Sequence, residues 1–198
     1  MKDLFERARE FRHTGTRAEL RPLAAGQAPR ALFITCSDSR VVPALITGSP
    51  PGELFEMRNA GNIVPPYESP TSCGSAATIE YAVNVLEVPD IVVCGHSHCG
   101  AVGALARGED LSGLPDVSGW LEFARPGLAP VLDVPPTDPA LARAVQRHVI
   151  AQLDTLRGYP AVERRLDEGR LRLHGWFYQV DTGAVWELDH ARESFALL

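Results

Sequence analysis

Apolar positions in this chain alternate between two periods. Residues 30–36 (Arg-Ala-Leu-Phe-Ile-Thr-Cys) and 90–95 (Asp-Ile-Val-Val-Cys-Gly) are short, nearly unbroken apolar runs with β-branched content, the pattern of strands buried on both faces. Residues 54–57 are a weaker strand candidate. Elsewhere the apolar residues recur at helical spacing. Ala76, Ile79, Ala82, Val83 and Leu86 predict a helix over 75–87, and Leu141, Val145, His148, Val149 and Leu153 predict a long one over 138–157. Asp138-Pro139 reads as the N-cap of the long helix followed by proline at its first position. Shorter helices are predicted over 100–107 and 160–168. Leu4, Phe5, Ala8 and Phe11 predict a charged amphipathic helix over 2–20. Prolines break 110–139 into short pieces around Trp120. Residues 171–180 and 184–188 flank Asp181-Thr182-Gly183, which reads as a hairpin with glycine in its turn.

Strands alternating with helices predict an α/β fold. The expected architecture is a single domain with a mostly parallel central sheet flanked by helices. An N-terminal helical arm over 1–24 precedes an α/β core over 30–190, and an antiparallel edge hairpin lies near the C-terminus. At 198 residues the chain can bury a core without covalent staples.

Charge removes several function classes. Lys and Arg total 19 against 25 Asp and Glu, a net charge of −6, and the longest basic run is Arg164-Arg165. No nucleic-acid partner is expected, since phosphate backbones call for a basic surface. No apolar run approaches the roughly 18 residues of a membrane span. The N-terminus is charged and lacks the apolar core of a secretory signal. The expected compartment is therefore the cytoplasm, where thiols stay reduced. The four cysteines, Cys36, Cys73, Cys94 and Cys99, then read as ligands, nucleophiles or core fillers rather than disulfide partners. Cys94 inside an apolar strand, and Cys73 with no ligand pattern around it, read as structural.

The chemistry gathers at two strand ends. One run closes in Cys36-Ser37-Asp38-Ser39-Arg40, the other in Cys94-Gly95-His96-Ser97-His98-Cys99-Gly100. Open α/β sheets bind ligands beyond the carboxyl ends of their strands, so Cys36, His96 and Cys99 are expected to converge. Two thiolates and an imidazole suit zinc, and three protein ligands leave its fourth position open, as catalytic sites do. His98, between two ligands, is expected to face away. Arg40 beside Asp38 favours the ionised carboxylate and can hold it bidentately.

These residues, with Pro51-Gly52-Glu53-Leu54-Phe55, Arg58-Asn59-Ala60-Gly61-Asn62, Ile79-Glu80-Tyr81-Ala82-Val83 and His174-Gly175-Trp176-Phe177-Tyr178, resemble the β-class carbonic anhydrases over nearly the whole chain. The resemblance implies Cys36, His96 and Cys99 as ligands of one zinc ion per subunit and Asp38–Arg40 as a catalytic dyad. It implies reversible hydration of carbon dioxide to bicarbonate and a proton, by a zinc-held hydroxide that the dyad orients. Zinc brings the pKa of bound water to about 7 in the unrelated three-histidine carbonic anhydrases; two thiolates should acidify it less. Gln27, nine residues before Cys36, together with Phe55, Ala60 and Tyr81, matches a plant-like branch. Phe33 stands where the other branch has a tryptophan, so that branch's inhibitory bicarbonate site is expected to be absent. Gln27 and the Gly100 N–H would donate to substrate oxygens, and Phe55, Ala60 and Tyr81 would line an apolar pocket. In some members the aspartate swings onto the metal; the open form is expected here at neutral to alkaline pH. Members are at least dimers, so a homodimer or dimer of dimers is expected, with the amphipathic arm as a contact and the three pocket residues serving the partner's site.

Rival readings are a relative acting on carbon disulfide or carbonyl sulfide, a non-catalytic zinc protein and a thiol redox protein. The ligands cannot discriminate the first. The intact Asp38–Arg40 pair disfavours the second, and the lack of a Cys-x-x-Cys motif disfavours the third.

Overall fold

Among the described residues, six strands form one sheet in the order β2-β1-β3-β4-β5-β6. They are β1 (Ala31–Cys36), β2 (Leu54–Asn59), β3 (Asp90–His96), β4 (Arg172–Tyr178), β5 (Val185–Asp189) and β6 (Ser194–Leu197). The structure, a computed structural model, describes residues 1–11, 13, 20–67, 73–128, 130–131, 134–135 and 138–198. The first four strands in spatial order run parallel, and β5 and β6 run antiparallel to their neighbours. The helices are α1 (Lys2–Phe11), α2 (Pro43–Thr47), α3 (Gly74–Asn84), α4 (Gly100–Arg107), α5 (Pro115–Leu121), α6 (Pro139–Arg157) and α7 (Pro160–Asp167).

The continuous apolar runs are the central strands. Every residue of β1 is buried, and all of β3 except Asp90. One sheet face, with Leu32, Ile34, Met57, Ile91, Val93 and Leu173, packs against α3, α6 and α7 through Ile79, Ala82, Val83, Val149, Leu153 and Val162. On the other face Phe33, Val92 and Cys94 form a smaller cluster with Leu54, Trp176 and Tyr178. Phe33 meets Trp176 edge to face at 5.8 Å, the geometry the aromatic quadrupole prefers.

The long helix begins as its sequence predicts. Asp138 is the N-cap and accepts from the Ala140 N–H at 2.7 Å, with Pro139 following. It lies close to the sheet because β3 and β4 carry glycine beneath it. A Cβ on Gly95 would stand 2.7 and 2.8 Å from methyl groups of Val145 and Val149, and one on Gly175 would stand 3.0 Å from Leu153.

Three elements lacked a sequence signal. α2 and α5 are short helices that each begin on a proline, too brief for periodicity to register. β6 adds a second antiparallel strand, so the predicted hairpin is not the sheet edge. Of the helix predicted over 2–20, Lys2–Phe11 forms α1, and residues 12 and 14–19 lie outside the described residues; a 3-10 turn at Arg21–Ala25 comes after the predicted span. α1 buries none of its residues, and Leu4 and Phe5 stay 61% and 58% exposed. Among the described residues, no helix is long and apolar enough to cross a membrane.

Gly95→Ala should destabilise the fold by about 1–3 kcal/mol, the usual cost of overpacking a core. The midpoint of denaturant unfolding measures it, and an unchanged midpoint would show that α6 can shift outward freely.

Candidate metal centre

The strand order places a switch point between β1 and β3: the chain leaves β1 toward β2 and returns on the opposite side to form β3. Parallel pairing with Thr35 opposite Cys94 brings the ends of both strands to the same level. Cys36 is the last residue of β1, His96 the last of β3, and Cys99 the N-cap of α4. Their ligating atoms lie within 4.8 Å of one another and all three residues are buried.

The side chains suit a candidate ligand set. His96 Nδ1 lies 2.9 Å from the Ser97 carbonyl. A carbonyl only accepts, so Nδ1 carries the proton and Nε2 keeps its lone pair. That Nε2 is buried without a hydrogen-bond partner, an arrangement expensive to bury unless a cation fills it. The Cys36 thiol is drawn down to about 4, first by hydrogen bonding to the Cys99 side chain and further by the N–H groups of Gly61 and Asp38, against the opposing effect of burial. Cys99 is pushed up by its neighbour Cys36 and by burial, although the Ala101 and Val102 N–H groups at the start of α4 oppose this. The pair therefore retains a proton between its sulfurs. A divalent cation would replace it, and two thiolates with one neutral imidazole are a donor set suited to zinc.

Beside this cluster Arg40 grips Asp38 from three donors. Its backbone N–H and Nε donate to Oδ1 at 2.9 Å each, and Nη2 donates to Oδ2 at 2.7 Å. These bonds hold the Asp38 carboxyl well below the usual carboxylate range. Oδ2 stands 3.9 Å from His96 Nε2. Arg40 Nη2 also donates to the His98 carbonyl at 3.1 Å. His98 itself is exposed and outside the ligand cluster, in a left-handed backbone conformation (φ 56°).

Sequence spacing gave no role to Arg58, which donates to the Cys36 carbonyl at 3.0 Å and the Asp38 carbonyl at 2.8 Å. It ties the end of β1 to β2. Nor did spacing identify the Gly61 N–H, 3.4 Å from Cys36 Sγ. Cys94 is fully buried and its thiol pushed up to about 12 by burial, as expected of a core filler. Cys73 is half-buried at the N-cap of α3.

The remaining expected residues divide between the two ends of the sheet. Gly100 is the first residue of α4, so its N–H is one of the four a helix leaves unpaired. Ala60 follows β2 at the cluster's end, in an open cleft of about 680 Å³, with Trp120 Nε1 donating to its carbonyl at 2.8 Å. Phe55 is paired with Leu32, whereas Asn59 is paired with Cys36. Four residues of strand put Phe55 about 13 Å back toward the opposite end. Tyr81 is there too, stacked on Phe55 with ring centroids 5.9 Å apart, and is 44% exposed. Gln27 is exposed and precedes β1, on that same far side. One chain does not bring Gln27, Phe55 and Tyr81 to its own cysteines.

Fold and donor set together define an α/β protein with a candidate metal centre outside the carboxyl ends of parallel strands. A family model described as "Carbonic anhydrase" matches residues 31–185. The chain is 49% identical to a carbonic anhydrase of Pseudomonas aeruginosa, over all of this chain and 92% of that protein. It resembles the structure of the β-carbonic anhydrase CcaA with a TM-score of 0.91 and 39% identity, covering 100% of this chain and 99% of that one. A tetrameric β-carbonic anhydrase from Sordaria macrospora gives a TM-score of 0.72 at 31% identity, over 94% of this chain and 98% of that one. The chain belongs to the β-class carbonic anhydrases.

Replacing Cys36, His96 or Cys99 by alanine should abolish stoichiometric zinc binding, measured by metal analysis after dialysis. Full retention in the two cysteine variants would dismiss the ligand set.

Proposed function

We propose that the chain catalyses the reversible, zinc-dependent hydration of carbon dioxide, with Cys36, His96 and Cys99 holding the ion. One observation carries this: a buried, unpartnered His96 Nε2 faces two thiols beside a carboxylate that Arg40 already holds. Zinc held there supplies a Lewis acid that makes water nucleophilic near neutral pH.

Asp38 is the acceptor that orients the nucleophile's O–H. Oδ1 already accepts two bonds from Arg40, whereas Oδ2 accepts one and keeps a lone pair for that O–H. Arg40 keeps Asp38 ionised and stops it from turning toward the ligands, which supports the open form of the site. Arg58 holds the Cys36 and Asp38 carbonyls, so ligand and acceptor keep a common orientation. The Gly100 N–H, at the positive end of α4, binds an oxygen that gains charge as bicarbonate forms.

Gln27, Phe55 and Tyr81 complete the pocket of a second copy, because in their own chain they sit at the wrong end of the sheet. Gln27 donates to substrate, and the stacked rings of Phe55 and Tyr81, with Ala60, make an apolar wall for a small neutral gas. The exposed apolar residues of α1 are suited to such a contact, and the tetrameric relative supports a homodimer or dimer of dimers. Gln27, Phe55, Ala60, Tyr81 and the absence of tryptophan at Phe33 support the plant-like branch. Four free cysteines fit a reducing compartment, and the residence proposed is the cytoplasm.

Asp38→Asn should retain zinc and lose carbon dioxide hydration by about 10²–10⁴-fold, the range for a positioned proton acceptor, in stopped-flow assays. Unchanged turnover would remove Asp38 from the reaction. Gln27→Ala should chiefly lower kcat/KM, and wild-type values would return Gln27 to an ordinary loop position. Sedimentation should give at least twice the 21.5 kDa of one chain; a fully active monomer would refute the shared pocket.

A further inference from the structure

The turn after β2 is held from outside by three side chains that the reaction does not use. Gly61 donates its N–H to Cys36 Sγ at 3.4 Å. Its backbone is in the left-handed region (φ 83°), and a Cβ there would stand 3.4 Å from that of Ala101. The positive φ favours glycine there, yet glycine is also the residue least able to hold an orientation unaided.

Both peptides flanking Gly61 are clamped. The Ala60 carbonyl belongs to the same peptide unit as the Gly61 N–H, and it accepts from Trp120 Nε1 on α5 at 2.8 Å. A donor on that oxygen strengthens the N–H on the other side of the unit. The following peptide presents the Gly61 carbonyl, which lies 2.8 Å from His148 Nε2 on α6. Gln152, one turn further along α6, accepts the Val64 N–H at its Oε1 (2.8 Å) and turns its amide nitrogen to His148 Nδ1 at 3.4 Å.

These contacts fix the tautomer of His148. An amide nitrogen only donates, so Nδ1 accepts; a carbonyl only accepts, so Nε2 carries the proton. His148 is fully buried and Gln152 1% exposed. Burial lowers the His148 pKa to about 4, which keeps the ring neutral and the arrangement intact through the neutral range. A residue that merely filled space between α6 and the sheet would need neither this chain of donors nor its desolvation cost.

We propose that Trp120, His148 and Gln152 are positioning residues for the Cys36 thiolate, clamping the two peptides around Gly61 so that its N–H stays aimed at the sulfur. That hydrogen bond withdraws charge from the thiolate and fixes its direction, and so sets how strongly the site holds its ion. The inference rests on the reading of Cys36, His96 and Cys99 as metal ligands.

The test loads the metal-free full-length protein with cobalt(II), then competes zinc against a chelator. It reads the thiolate-to-cobalt charge-transfer band, the zinc affinity and the melting temperature. Trp120→Phe and His148→Leu should each weaken zinc binding about 10–100-fold, the usual effect of removing a partner of a metal ligand, and should shift the band. His148→Gln, whose amide can still donate to the Gly61 carbonyl, should recover most of the affinity. Lowered melting temperatures with wild-type affinity and an unmoved band would overturn the proposal and leave a packing role only. Should His148→Leu fail to fold, Trp120→Phe, which keeps an aromatic ring and loses only the donor and some volume, decides the matter alone. A wild-type protein that takes up no cobalt or zinc would overturn the ligand reading and this inference together. Wild-type uptake with unmoved variants would overturn only this one.

Discussion

Two buried thiols beside an imidazole nitrogen that has no proton and no donor to meet it form an arrangement that water-free protein tolerates poorly. One sulfur can ionise with help from the other's proton and from the Gly61 and Asp38 N–H groups. The second then cannot, because like charges in a low dielectric repel strongly. The rest of the structure answers this constraint. Backbone donors converge on the sulfurs, Ser97 sets the His96 tautomer, and a positively charged occupant is the one addition that satisfies all three atoms at once.

Holding that arrangement takes rigidity from outside it. The sheet supplies the first level, since paired β1 and β3 end together and deliver Cys36 and His96 to one place. Arginines supply the second. Arg58 ties the carbonyls after β1, and Arg40 links Asp38 to the His98 carbonyl in the loop after β3. The glycines of β3 and β4 supply a third by letting α6 sit close to the sheet, which brings His148 and Gln152 within reach of the turn around Gly61. Stability and chemistry are joined at α6, whose apolar residues cover the sheet while its two buried polar residues face the site.

The polarity of the parallel strands also explains how labour is divided within one chain. The ligands and Asp38 occupy the carboxyl ends, whereas Gln27 and the Phe55–Tyr81 pair lie toward the amino ends, beyond what a side chain can span. On the proposed reading, a site of this kind is assembled by symmetry. In that proposal, the surface that would look like an idle aromatic patch in a single chain serves as a pocket wall when two chains meet. The exposed apolar residues of α1 fit that arrangement, since a helix with no buried residue gains little from its own chain.

The sequence by itself determined the class of fold and pointed to the candidate donors. Nearly unbroken apolar runs read as buried strands, Asp138-Pro139 marked a helix start to the residue, and cysteine and histidine at strand ends pointed to candidate ligands, because side-chain chemistry and short-range periodicity are local properties. It was silent on α2, α5 and β6, which are too short to show a period. It was silent too on Arg58, His148, Gln152 and Trp120, whose roles come from backbone groups far away in the chain. Which carbonyl an arginine reaches, which tautomer a buried histidine adopts and which end of the sheet a tyrosine occupies are decided by strand order, register and the distance between helix and sheet. Those are long-range quantities, and only the tertiary structure sets them.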